Sequence, residues 1–421
     1  MSLLDFIFKQ KTPGSNFALS LDIGTEVVKA LIFQIEGNEG KGIVVGVGRQ
    51  QQNPGHMTSG AVADIDGVVG TCRRAIEEAA QSLGFVPEQC IVGIAGELVK
   101  GTTVTVRYER TRPQLKIDMP ELKNIVQKVQ WKAFDRVRQQ LAWETGHSEI
   151  DIKLINAAIV DVRIDGYRVT NPIGFQGKEV SVSVFNSYAP MLHLGALQSI
   201  TNELGLDLLS IAAEPYAVAR SLGTDNAVEF SAVFIDVGGG TTDIAVVRNG
   251  GIEGTKMFAL GGRAFTKRLA TELGISYEEA EQLKLRYSAA DLGPNLMQKL
   301  RNILEDDCKV WLSGVELALG EFVGQDLLPH RFLLCGGGAH LPEIKKVLEK
   351  NHWPEDLPFG KPVKVDFIYP KDVINIVDKT GKLNDFQDVT PMGLANLALD
   401  LVGEERVLGS ILRRVVRMMQ N

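Results

Sequence analysis

The chain has 421 residues, 44% apolar and 23% charged, with a formal net charge of −7. That length allows two to four domains and a sizeable core, the composition is ordinary soluble-globular usage, and the acidic balance argues against a general nucleic-acid binder. No apolar run approaches the ~20 residues of a membrane-spanning helix, and Cys72, Cys90, Cys308 and Cys335 stand at no metal-binding spacing; without a signal peptide they are expected to be buried thiols in a reducing cytosol.

The leader, Met1 to Lys11, is apolar with basic residues after it, expected to be packed or disordered, with a weak lipid contact as the alternative. Residues 17–50 are strand-rich. Within them, Phe17 to Phe33 reads as a β run ending in Asp22, a tight turn through Gly24 and Thr25, and a second β run. A helix is predicted over Asp66 to Leu83, with Val69, Cys72, Arg73, Ile76 and Ala80 as its spaced positions, and a buried strand over Ile91 to Ala95. From Gly101 to Tyr167 the character changes: a polar β segment, then a charged helix (Met119 to Arg138) with Leu122, Ile125, Val126, Val129 and Phe134 along one face, then alternating strands. That pattern predicts a small α+β domain inserted into the first half. Met191 to Glu203 reads as a helix linking two halves, the second opening near Leu206.

Ala232 to Val247 then repeats the opening pattern: a β run ending in Asp236, the turn Gly238-Gly239-Gly240-Thr241-Thr242-Asp243, and another β run. A recurring segment of this kind points to two similar halves facing each other. Two such hairpins brought face to face offer opposed loops of backbone N–H groups that hold phosphates, with aspartates holding a divalent cation through water. Asp-Gly between apolar runs is also a common hairpin signal with no function, and for the Asp22 turn alone that alternative stays open. Three consecutive glycines are harder to explain as punctuation, because they weaken a hairpin unless the backbone must be approached closely. Neither turn is a P-loop or a dinucleotide fingerprint.

Residues Gly262 to Leu319 read as nearly all helical, broken at Gly274 and at Gly293-Pro294. Arg331 to Cys335 is a buried-strand pattern followed by Gly336-Gly337-Gly338-Ala339 and a helix with Pro342 in its first turn. Alone, this is a strand-to-helix connection; beside the two hairpins it becomes a candidate floor for a base and sugar.

The order Asp22-Ile-Gly-Thr, Asp236-Val-Gly-Gly-Gly-Thr-Thr-Asp243, Gly336-Gly-Gly-Ala resembles the phosphate 1, phosphate 2 and adenosine motifs of the actin, heat-shock chaperone and sugar kinase superfamily. Ala213-Glu214-Pro215 resembles its connecting motif, and Glu281-Gln-Leu-Lys284 its adenosine-contacting Glu-x-x-Lys. Within the superfamily the chain resembles the FtsA cell-division family over about residues 16–400. Val92 to Gly96, Asn171-Pro-Ile-Gly174 and the acidic helix around Glu278 to Tyr287 carry that likeness.

The resemblance implies an α/β, actin-like ATPase fold: two duplicated α/β halves around a nucleotide cleft, with a small α+β domain in the first half. The expected parts are a leader (1–15), a first subdomain in two pieces (16–96 and 171–205), the insert (97–170), a second core (206–257 and 331–403), a helical cap (258–330) and an amphipathic tail (404–421). ATP with Mg2+ is the implied cofactor pair. The phosphates are expected between Gly24-Thr25 and Gly238, Gly239, Gly240, Thr241 and Thr242, and the nucleoside against Glu281, Lys284, Gly336, Gly337, Gly338 and Ala339. Asp22, Asp236 and Asp243 are expected to hold the ion's waters. Glu214 is the candidate for orienting or deprotonating the attacking water, with a helix-start acid ahead of Pro215 as the alternative. Many FtsA-like sequences have a lysine or hydroxyl residue where this chain has Val27, so one polar contact is missing and slow hydrolysis is expected.

In the tail, Val407, Leu408, Ile411, Leu412, Val415, Val416, Met418 and Met419 fall on one half of a helical wheel, and Arg406, Arg413, Arg414 and Arg417 on the other. This is the pattern of a helix lying in an anionic membrane surface, as FtsA-like proteins end; a packed terminal helix is the alternative. Only Gly403 separates it from the last core helix (Pro391 to Val402), a shorter tether than relatives have. The family implies the FtsZ tail, self-association into filaments and other division proteins as partners. Two further classes share the superfamily: a type IV pilus adaptor resembling PilM, and a soluble sugar or acid kinase.

Overall fold

The computed structural model describes residues 16–37, 40–96, 99–145, 152–222, 230–323, 326–350, 353 and 357–402. The expected leader and amphipathic tail, with Leu408, Ile411, Leu412, Arg413, Arg414, Val415, Arg417 and Met419, lie outside the described residues.

The chain opens with β1 (Phe17–Ile23), β2 (Val27–Glu36) and β3 (Lys41–Gln51), a small hairpin β4 (Met57–Thr58) and β5 (Ala61–Val62), helix α1 (Ile65–Ala80) and β6 (Gln89–Ile94). Next come β7 (Lys100–Glu109), α2 (Met119–Thr145), β8 (Ile152–Ile164), β9 (Tyr167–Arg168), β10 (Glu179–Pro190), α3 (Met191–Glu203), β11 (Asp207–Ala213) and α4 (Glu214–Ser221). The second repeat is β12 (Ala232–Val237), β13 (Thr242–Arg248) and β14 (Gly251–Phe258), followed by α5 (Gly262–Leu273), α6 (Tyr277–Ser288) and α7 (Pro294–Gly320). The chain continues with β15 (Arg331–Cys335), α8 (Pro342–Leu348), β16 (Lys364–Phe367), β17 (Ile376–Asp378) and α9 (Val389–Val402).

The duplication is explicit in the sheets. One runs β11-β6-β1-β2-β3-β17; the other runs β16-β15-β12-β13-β14 and then continues through β7-β10-β8-β9. In both, the first three strands are parallel and the next two antiparallel. The central strands β1 and β12 are apolar on both faces and buried almost throughout, as strands covered on both sides must be. In α1, Val68, Val69, Cys72, Ala75, Ile76, Ala79 and Ala80 form the buried stripe; Arg73 of the predicted set points off it, half-buried. All four cysteines are free and buried, and burial pushes the Cys72 and Cys90 thiols up to about 12.

The helical cap breaks where its sequence dictates. Gly274 ends α5 with φ 66°, Ser276 and Glu279 close a capping box on α6, and Pro294 starts α7. Leu300, Leu304, Cys308, Trp311 and Val315 place the α7 stripe in the second core.

Three segments sit differently from the expected boundaries. β10, beyond residue 170, pairs along its whole length with β7 and β8, so the insert's sheet extends to Pro190. β11, beyond residue 206, pairs with β6 in the first sheet. After β16 the chain returns to the first half: β17 pairs with β3, α9 packs on α4, β1 and β2, and the Ser20 hydroxyl donates to Pro391 O at 2.8 Å. The insert also adds to the second half's sheet edge, where Thr102 and Gly101 pair with Gly254 and Thr255. Each departure follows from strand pairing over long sequence separation, which local pattern does not encode.

Candidate functional site

Asp22 and Asp236 are the penultimate residues of β1 and β12, and both hairpins line one cavity of about 500 Å3. Antiparallel register puts Lys29 opposite Asp22 and Asp243 opposite Asp236, and α4 begins on Glu214. All four carboxylates are buried.

One cation sits among them. The Lys29 ammonium donates to Asp22 Oδ2 at 3.2 Å and to Gln387 O at 2.8 Å. Burial opposes its charge, but Asp22, Asp236 and Asp388 together hold its pKa above the ordinary lysine value. The Thr390 hydroxyl donates to Asp236, partly offsetting burial, which pushes that carboxyl up. Asp243 accepts only a long bond from Thr241 Oγ1 at 3.5 Å, and its Oδ1 has no partner among the described residues. Burial, then the Asp236 charge, pushes Asp243 well above the carboxylate range; burial, then Asp22, Asp243 and Asp236, does the same to Glu214. Four carboxylates against one ammonium, with one buried oxygen unpartnered, form a site that gains from a cation. Among the described residues no three ligating side chains converge closely enough to bind a metal directly.

The glycine loops are braced and close together. Gly238 N donates to Thr241 O at 2.9 Å, and the start of α5 ties back to the loop through Gly262 N to Gly238 O (2.9 Å) and Arg263 N to Gly239 O (2.8 Å). A Cβ on Gly240 would lie 2.7 Å from Thr25 Oγ1, so the two loops touch. Gly336 has φ 87° and ψ 155°, and a Cβ there would lie 2.0 Å from Asp236 Oδ1. Only glycine is readily accommodated at such a position.

Of the expected site residues, Asp22, Gly24, Thr25, Glu214, Asp236, Gly238, Gly239, Thr241, Asp243, Glu281, Lys284, Gly336, Gly337 and Gly338 line this one cavity. Gly240, Thr242 and Ala339 do not. Thr242 is turned into the core, where its hydroxyl donates to Leu260 O at 2.6 Å and accepts from Trp311 Nε1 at 2.9 Å. Ala339 is buried beneath the floor. Lys284 uses all three donors internally, on Gly262 O (3.1 Å), Thr266 Oγ1 (2.8 Å) and Glu281 Oε2 (2.8 Å), so it orients Glu281 and joins α6 to α5.

Sequence reasoning missed Lys29, Arg263, Gln387 and Thr390. A lysine inside the apolar run Val27-Val28-Lys29-Ala30-Leu31 was a legible signal, since a buried charge needs a partner. Arg263 crosses to the first hairpin, donating to Glu26 Oε2 at 2.6 Å and Thr25 O at 2.7 Å.

Two duplicated α/β halves whose central strands end in carboxylates at facing glycine hairpins define an actin-like ATPase fold. A solved type IV pilus biogenesis complex of PilM and PilN shares the fold, with a TM-score of 0.62 over 91% of this chain and 98% of that one at 15% identity. Within that class the chain is similar to the cell-division protein FtsA of several bacteria. It is 26% identical to that protein of Pseudomonas aeruginosa over 79% of this chain and 80% of the relative. It is 24% identical to that of Bacillus subtilis (79% and 76%) and 30% identical to that of Neisseria meningitidis (64% and 61%). The family profile described as cell division protein FtsA matches residues 233–379, which span the second glycine loop, the cap and β15 to β17. The chain is thus similar to actin-like division proteins over about four-fifths of its length.

Proposed function

We propose that the chain is a membrane-tethered, ATP-binding actin homologue that anchors the FtsZ ring at the cytoplasmic face of the membrane and changes conformation or polymerises with nucleotide. The observation that carries the nucleotide assignment is the cluster of four buried carboxyl groups at the facing hairpins, with the Lys29 ammonium among them. Asp22, Asp236 and Asp243 would hold magnesium through its waters. When bound, magnesium would neutralise triphosphate charge at the hairpins. Gly24, Thr25, Gly239 and Thr241 would offer backbone N–H groups to phosphate oxygens. Glu214, buried at the start of α4 and lining the same cavity, would orient or deprotonate water. Glu281 and Gly336 to Gly338 would receive the nucleoside.

The tail, residues 404–421, would lie in the anionic membrane surface through its apolar half with arginines above. The second half would meet the FtsZ tail, as in the FtsA family. The domains would divide as expected from the sequence, with the insert carried to Pro190 and β11, β17 and α9 added to the first half.

The test is liposome co-sedimentation of the full chain and of a form ending at Gly403, each with and without ATP and magnesium. Tail-dependent pelleting with anionic lipid is expected. If both forms stay in the supernatant, the anchor assignment fails and an adaptor that grips a partner, on the PilM pattern, replaces it.

A further inference from the structure

We propose that Arg263 is a latch between the two halves that sets how fast nucleotide enters and leaves the cleft; it rests on the nucleotide-cleft assignment above. The backbone N–H of Arg263 donates to Gly239 O at 2.8 Å, so the residue is fixed to the second glycine loop. Its guanidinium reaches the other half with every nitrogen engaged. Nε donates to Glu26 Oε2 at 2.6 Å, Nη1 to Met57 O at 3.0 Å and Nη2 to Thr25 O at 2.7 Å. The two side chains are only 15% and 20% exposed, so the ion pair is sheltered from solvent screening.

What the latch holds shut follows from the loop contact. With Gly240 packed on the Thr25 side chain, a phosphate chain can pass between the hairpins only if they part. Parting them breaks three bonds that radiate from one residue, two to backbone carbonyls that cannot follow. The Thr25 hydroxyl is also held, accepting from Gly60 N at 3.1 Å, so the first loop is braced from behind. Lysine cannot substitute for this fork, because an ammonium on a flexible stem does not match three fixed acceptors.

The experiment uses the full chain and the variants Glu26→Gln, Arg263→Gln and the double. Stopped-flow fluorescence with a fluorescent ATP analogue and magnesium gives association and dissociation rates. Each single variant is expected to raise the dissociation rate about tenfold, and the double no further than the stronger single. Rates within twofold of the parent with binding intact, or effects that multiply in the double, overturn the latch. Amide hydrogen exchange without nucleotide provides a separate readout. Faster exchange is expected at residues 23–27, 57–60 and 238–241 in each variant, with β12 unchanged; unaltered protection there also overturns the latch. If the parent binds no nucleotide, the cleft assignment falls, and the exchange data alone decide whether Arg263 joins the loops.

Discussion

Replacing Gly336 by alanine tests the packing of the site at its tightest point. The residue sits at φ 87° and ψ 155°, a region where a side chain costs about 1–3 kcal/mol. The new Cβ would fall 2.0 Å from Asp236 Oδ1 and 2.5 Å from Val237 O, and the second of these is backbone that cannot swing away. Overpacking of this kind adds about 1–3 kcal/mol, for a total of roughly 2–6 kcal/mol. Because Asp236 must also turn from Thr390 to make room, magnesium-dependent ATP binding is expected to fall with stability. Gly337→Ala is the matched control: its Cβ would meet nothing closer than Gln387 Oε1 at 3.8 Å, so a change within about 0.5 kcal/mol is expected. Urea unfolding followed by circular dichroism measures both. If the two variants unfold at the same denaturant concentration, the geometric reasoning at Gly336 is wrong.

Lys29→Met leaves Asp22 buried without its partner; a loss of about 3–5 kcal/mol at neutral pH is expected, largely restored in the Lys29→Met/Asp22→Asn double, as urea midpoints will show. Thr390→Val removes the hydroxyl that donates to Asp236 and is expected to cost about 1.5–3 kcal/mol in the same assay. Glu214→Gln acts through pH. The native state holds the Glu214 proton above the unfolded carboxylate range, so this group's contribution to stability falls as pH rises through that range toward the raised native value. Unfolding across pH 4–8 is expected to show the nucleotide-free parent losing stability relative to the glutamine variant as pH rises; a parent that instead gains contradicts the charge assignment.

What the sequence disclosed and what it withheld divide by range. The hairpins at Asp22 and Asp236, the helices from Gly262 to Gly320 and the strand before Gly336 were legible because turn chemistry, capping residues and apolar period are local signals. The repeated wording of the hairpins foretold their duplicated surroundings, and fourteen of the expected site residues line one cavity. Lys29 stood out as a charge inside an apolar run, but its role was not legible because its acceptor Gln387 lies at the far end of the chain. Thr390, Gln387 and Arg263 carry no motif; only the return of the chain before and along α9 to the first sheet, and the reach of the Arg263 side chain across the cleft, bring them in. The fate of the Thr242 hydroxyl was withheld too, because its place in a glycine-rich motif says nothing of the Trp311 side chain that claims it.

The central claim is that the carboxylate cluster binds ATP through magnesium. Isothermal titration of the full chain with ATP, with magnesium and then with EDTA, on the parent and on Asp22→Ala and Asp243→Ala, tests it most directly. The account predicts one site per chain that weakens at least tenfold without magnesium and in either variant. Binding that is indifferent to magnesium and to both substitutions, or no binding by a folded parent, would contradict it.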